Sequence, residues 1–341
     1  MPATFAIVGI FACLSAVPLG PPPARPRPVQ TPIVVKVLSL NFDPIIPAEG
    51  KRLHAVCGWN DPRRLAREYV AAVAEASHGR VRYRIVEWRD VDTFHPKVDG
   101  FTYTPQGYLT AWRTRKGFHD PDAADYPRTF RDFGVLARVD RGEIDEVWFF
   151  GGPYFGYSES AMAGPRAFYI NGEVYDKVPS RRPFVIMGFN YERGAAEMLH
   201  DLCHRTESTL SRIYGGWKAD ELTTNWARFA ANYAQSNGVA ACGTCHWPPN
   251  AEKDYDYANP RTVQSSADDW LGYPRLTGAT KPVSCRTWGG PNYQLNYLKW
   301  WFAHLPHASG VNADGRLNDW WRYVFEYDRF DERGRLRAAE R

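Results

Sequence analysis

The stretch EMLHDLCHRTES, residues 197–208, concentrates the side chains best suited to chemistry. His200 and His204 stand four apart, Asp201 follows the first, and Glu197 and Glu207 flank the pair. Residues 193–213 read as a helix. At about 100° per residue, with His200 at zero, His204 falls near 40°, Glu197 near 60° and Glu207 near −20°. Met198, Leu199, Leu202, Cys203, Leu210 and Ile213 fall on the opposite side, which the helix must bury. Two histidines at i and i+4 reach one metal ion, because their side chains emerge one turn apart on one side. Glu207 lies about 10 Å along the axis from His200 and suits orienting His204 better than ligating with it. A third ligand must come from another segment. The alternative is a solvated polar helix face with incidental histidines.

A second constellation is CGTCH, residues 242–246. Its C-x-x-C-H form is that of a c-type haem attachment site, where two thiols bond the haem and the histidine ligates its iron. No methionine follows Met198, so His304 or His307 would have to supply the other axial ligand. A zinc ribbon needs a second cysteine pair, and only Cys285 is near. The structural reading pairs Cys242 or Cys245 with Cys285 in a disulfide. That frees His246 as the best third ligand beside His200 and His204, with zinc the expected metal. A buried structural histidine is the other option for His246. Glu159, in the glycine turn GGPYFGYSES, is a candidate acid or ligand, because loops at strand carboxyl ends line sites in α/β folds. Asp254, Asp256, Asp268 and Asp269 read as turn and capping residues.

HDLCH resembles the HExxH motif of zincin metallopeptidases, with Asp201 in the glutamate position. The resemblance implies that His200 and His204 bind zinc and that Asp201 acts as base on an activated water. Aspartate is one methylene shorter than the family's glutamate. A strand leading into the helix agrees with the family. The His200-Asp201 doublet also resembles that of HD-domain phosphohydrolases, an all-helical family that needs a further histidine upstream; the nearest here is His119. DEVWFFGGPYFGYSESAMAGP, HDLCHRTES, CHWPPNAEKDYDY and SADDWLGYP together resemble an exported bacterial family. That resemblance spans most of residues 145–325 and implies a single functional unit.

These residues need a frame. IVVKVLSLNF (33–42) is a buried-strand run, DPRRLAREYVAAVAEASHG (61–79) a helix with Asp61 as N-cap and Pro62 at N1, and RVRYRIVEW (80–88) a second strand. EVWFFGG (146–152) and PFVIMGF (183–189) are further strands, the latter feeding the histidine helix. AFYINGEVY (167–175) has Asn171-Gly172 between apolar runs, a hairpin signal. Residues 221–238, 293–305 and 316–327 read as helices, with loop-rich chain from 239 to 290. The order predicts an α/β fold: a mixed sheet with flanking helices, and a helical, aromatic-rich C-terminal third. Residues 33–238 form the α/β domain, and 239–341 pack on the same core.

With 341 residues, the chain can bury a full core. Its net charge of +4 is spread among acidic residues, which excludes the clustered basic surface of a nucleic-acid binder. Residues 5–17 are apolar but too few to span a membrane. They fit a signal peptide over 1–20, followed by a proline-rich linker over 21–32. A lipoprotein anchored through Cys13 is the lesser alternative. No stable membrane insertion is expected after leader cleavage. The 13 tryptophans and 19 tyrosines either line a groove or pack long loops onto the core. The expectation is a secreted or periplasmic metal-dependent hydrolase, peptidase-like, acting on a peptide or glycan. Asp201, Glu207 and Glu159 are its candidate catalytic residues. The alternatives are a non-enzymatic surface protein with a structural metal or disulfide, and a haem c protein.

Overall fold

The computed structural model describes residues 31–217 and 221–337. The expected leader, most of the linker and Cys13 lie outside the described residues. The described residues make one compact unit.

A six-stranded mixed sheet organises it. In chain order the strands are β1 (Ile33–Phe42), β2 (Val81–Val91), β3 (Glu146–Gly151), β4 (Ser160–Ala163), β5 (Val174–Tyr175) and β6 (Phe184–Asn190). Their order across the sheet is β2-β1-β3-β6-β4-β5. β2, β1, β3 and β6 run parallel, and β4 is antiparallel to β6, with Ser160 opposite Met187. β3 is buried along its whole length, as a parallel strand covered on both faces must be.

Alternate residues of β3 mark the two faces. On one, Trp148 meets Tyr69 of α1 (Pro62–Ala76) and Phe189 of β6. On the other, Phe149 packs on Phe42 and on Tyr126 of α2 (Tyr126–Asp132). α1 starts as expected: the Asp61 carboxylate accepts from the Arg64 N–H at 2.6 Å, and Pro62 holds N1. It buries Leu65, Ala66, Tyr69, Ala72, Val73 and Ala76, one apolar stripe at helical spacing.

The histidine helix is α3 (Ala195–Tyr214). It leaves β6 through a four-residue turn and stops at Gly215, in the left-handed region at φ 83°. One buried ion pair fixes it on the sheet. Arg205 donates to Glu146 of β3 at 2.6 Å and to the Val324 carbonyl at 2.9 Å, and both charged side chains are about 1% exposed.

Three expected elements differ. The hairpin over 167–175 does not form; only Val174–Tyr175 is a strand, beside β4 in parallel. Ser160 Oγ donates to the Ile170 carbonyl, and a Cβ on Gly172 would sit 2.4 Å from the Ser160 carbonyl, so the turn is packed flat on β4. The helix over 221–238 shrinks to Asn225–Phe229, because the next carbonyls, of Phe229 and Ala231, accept from Cys242, Ala241 and Gly243 of the following loop. The segment 316–327 divides into a strand, Leu317–Asp319, and a helix, Trp321–Phe325.

Candidate metal centre

The apolar face of α3 is buried as expected, but the histidine face is not solvated. His200 is only 4% exposed and Glu207 6%. The loop that covers them is the one carrying CGTCH, held down by aromatic side chains from the C-terminal third. Tyr297 of α4 (Tyr293–Ala303) reaches the Cys242 and Thr244 carbonyls with its hydroxyl (3.0 and 2.7 Å). Trp301 donates to the Gly243 carbonyl at 2.9 Å, and the Tyr257 hydroxyl donates to the Cys245 carbonyl at 2.9 Å. Gly243 sits at φ 76°, and a Cβ there would lie 2.2 Å from the Trp247 carbonyl, so only glycine makes this turn.

The turn brings His246 to the helix. His246 Nε2 lies 3.0 Å from His204 Nε2 and 3.3 Å from His200 Nε2. A tetrahedral zinc with Zn–N bonds of about 2.05 Å would separate its nitrogens by roughly 3.3 Å. Among the described residues, His200, His204, Cys245 and His246 are the one group of histidine, cysteine or acidic donors gathered tightly enough for a metal ion, within 4.8 Å of one another.

Each ring is also gripped at its other nitrogen. His204 Nδ1 faces Glu207 Oε2 at 2.9 Å, His246 Nδ1 faces Asp254 Oδ1 at 3.2 Å, and His200 Nδ1 faces the Cys245 sulfur at 3.4 Å. Such partners fix the tautomer that leaves Nε2 free to ligate. The sulfur therefore sits by the opposite ring nitrogen of His200 from the one facing His246. Glu207 does more than hold a ring. Its other oxygen accepts the Cys245 backbone N–H at 2.6 Å, so one carboxylate ties helix and loop together.

Burial, with the two neighbouring imidazoles, lowers the pKa of His200 to about 3, keeping it neutral and ready to ligate. For His204 burial also opposes the charge, but hydrogen bonding to Cys245 and Glu207 outweighs it and pushes the pKa up to about 11, so with no metal present both ring nitrogens hold protons and Nε2 must release its own to ligate. The side chains of His204 and His246 stay 18% and 27% exposed, so the trio has a solvent-facing side. Tyr255 flanks that side, its ring 4.2 Å from that of His246.

The structure thus gathers His200, His204 and His246 and sets Glu207 behind them. It does not bring Asp201 into the donor set. One position along the helix turns a side chain by about 100°, and Asp201 instead lines a neighbouring cleft with Glu159, Glu197 and Arg193. Two partners escaped the sequence reading: Asp254 looked like a turn acid, and Cys245 a disulfide half. The signal available for both was position, since each lies within a few residues of His246 in a loop that must fold back on the helix.

The disulfide between Cys285 and Cys242 or Cys245 is absent: all three thiols are free, as are Cys57 and Cys203. The Cys245 sulfur is committed to His200, and the aromatic hydrogen bonds close the loop in place of a covalent link. CGTCH does not present a haem face either. Cys242 and Cys245 are fully buried, and the space before His246 Nε2 is filled by two other imidazoles. Compared with protein-family models, with curated proteins and with solved structures, the chain matches none. No helix among the described residues is long and apolar enough to cross a membrane.

Proposed function

We propose that the protein is an exported metal-dependent hydrolase, with a single zinc held by His200, His204 and His246, acting on a peptide or glycan. The observation that carries this is the convergence of three Nε2 atoms at 3.0 and 3.3 Å, each ring held at Nδ1. When bound, zinc supplies a Lewis acid that polarises a carbonyl or activates water. Three protein ligands and a solvent-facing side leave a coordination position open, which distinguishes catalytic from structural zinc. Glu207 and Asp254 hold the ligating tautomers of His204 and His246. Glu197, half-buried and one turn before His200, is the carboxylate on the same helix placed to carry a proton. Arg193 Nη1 pairs with it at 3.4 Å.

One observation favours a second reading. If the Cys245 thiolate moved into the set, four ligands would close the site and make the zinc structural. The test is metal content together with Cys245→Ser. The purified protein should carry close to one zinc per chain, and alanine at His200, His204 or His246 should each abolish it. Cys245→Ser retaining stoichiometric zinc and hydrolysis of peptide or glycan substrates supports the open site. Loss of the metal in that variant moves the assignment to the closed one.

A further inference from the structure

Beside the histidine trio lies a cleft of about 300 Å³ at the carboxyl ends of β3 and β6. Gly152, Tyr154, Gly188 and Asn190 form its floor and wall, and its charged side chains are Asp122, Glu159, Glu197, Asp201 and Arg193. Asp122, Glu159 and Glu197 against one guanidinium make it an acidic cleft. Two carboxylates have a cation beside them: Asp122 pairs with Lys97, and Glu197 with Arg193. Glu159 accepts from the Asn171 amide and keeps its second oxygen. Asp201 is different. It is 93% buried, faces the cleft, and makes no hydrogen bond or ion pair with any described residue. Its oxygens open on the cleft rather than on the core, which leaves them for a partner that enters there.

From this we infer that the cleft binds a primary ammonium group of the substrate, held by Asp201 and Glu159. Asp201 offers acceptor oxygens in either protonation state, and Glu159 and Glu197 supply the negative field. A second metal ion fits less well, because among the described residues the histidine group is the one gathered tightly enough for a metal ion. Ammonium, with three donors spread tetrahedrally, suits wider spacing. The aromatic ring of Tyr154, 43% exposed, offers apolar contact for the carbon skeleton that carries the amine. The cleft and the trio serve one substrate because they adjoin. Glu197 and Asp201 lie within four residues of His200 on the same helix. Tyr255 stacks on His200, packs against His246, and feels the charges of Glu159 and Glu197. As a statement about substrate, this rests on the hydrolase reading; as a statement about binding, it stands apart from it.

The experiment uses leucinamide, which carries a free α-ammonium, and N-acetyl-leucinamide, which does not, in calorimetric titrations of the full chain. A His200→Ala/His204→Ala variant, lacking the metal ligands, is titrated in parallel. Leucinamide should bind the wild type and that variant, and N-acetyl-leucinamide at least tenfold more weakly. Asp201→Ala, which removes the acceptor oxygens, and Glu159→Gln, which removes the charge, should each weaken leucinamide by about tenfold or more, the share of a hydrogen bond to a charged group, with thermal unfolding confirming that each variant is folded. Equal binding of the two probes, or none of either, overturns the subsite. So does saturable calcium binding that Asp201→Ala abolishes while leucinamide fails to bind. Metal content is read separately, so a protein that binds leucinamide but no zinc keeps the subsite and loses the hydrolase.

Discussion

Replacing Glu207 by glutamine should disable the metal centre without removing a ligand. The Glu207 carboxylate accepts twice, from His204 Nδ1 and from the Cys245 backbone N–H. A carboxamide has one acceptor and one donor end. If its oxygen faces Cys245, the NH₂ faces His204 Nδ1, which must then accept. The ring proton moves to Nε2, the atom that would ligate. If the amide is turned over, its NH₂ meets the Cys245 N–H, donor against donor, and the loop carrying His246 shifts. Either way the trio loses one preorganised nitrogen. Losses of this kind typically cost 10–100-fold in metal affinity, about 1.4–2.7 kcal/mol. The assay is competition for zinc with a chromophoric chelator at neutral pH, with unfolding curves as a control on folding. Glu207→Ala should also destabilise the fold by about 1–3 kcal/mol, because it strands the buried Cys245 N–H. Glu207→Gln binding zinc within twofold of wild type would refute the double-acceptor argument.

Other expectations follow from the same geometry. Arg205→Ala leaves Glu146 charged and buried and should cost about 3–5 kcal/mol in denaturant unfolding, whereas Arg205→Met with Glu146→Leu should recover most of it. Tyr297→Phe removes the hydroxyl that pins the Cys242 and Thr244 carbonyls and should cost about 1 kcal/mol, with a weaker zinc affinity. His95 is buried among Phe42, Phe149 and Tyr157, and burial lowers its pKa to about 3. Its folded pKa lies below the unfolded value near 6.5, so the unfolded chain binds the proton first. Stability from this group is complete above pH 6.5 and falls by up to about 1.4 kcal/mol per pH unit as pH drops from 6.5 toward 3. His95→Gln should flatten that slope in pH-dependent unfolding curves.

Much of the frame was legible in the sequence. β1, β3, β6, α1 and α3 begin and end within three residues of the runs that predict them, because buried parallel strands and a capped amphipathic helix are written locally. The pairing of His200 and His204 was legible from helical spacing; His246 was singled out through a disulfide at Cys285 that the structure lacks. What stayed hidden depends on distant pairings. The Arg205–Glu146 pair joins residues 59 apart in sequence, and no local pattern marks either as buried. Asn171-Gly172 carries a strong hairpin signal, yet a packing surface on β4 overrides it. The burial of the polar face of α3 was also unreadable, since periodicity identifies which face is polar and not what covers it.

That last point bears on how the site is made. A helix face alone supplies two nitrogens; the third comes from His246, and its position is set by the covering loop. The loop has little regular structure, and its backbone carbonyls at Cys242, Gly243, Thr244 and Cys245 are taken by Tyr297, Trp301 and Tyr257. The tyrosines and tryptophans of the C-terminal third are therefore positioning residues at one remove: they hold the loop, the loop holds His246, and Glu207 ties the loop's Cys245 N–H to the helix's His204. Aromatic hydroxyl and indole donors suit this task, because each fills the core with its ring and satisfies a buried carbonyl with its polar tip. Metal binding and loop ordering should consequently be coupled in the sense of linkage: whatever binds only the assembled trio also stabilises the loop, by RT ln(1 + [L]/Kd). At a free zinc concentration 100 times the dissociation constant this amounts to about 2.7 kcal/mol. Hydrogen exchange should show it as slowed opening of the Cys245 amide on adding zinc, and equal exchange with and without zinc would separate the loop from the metal.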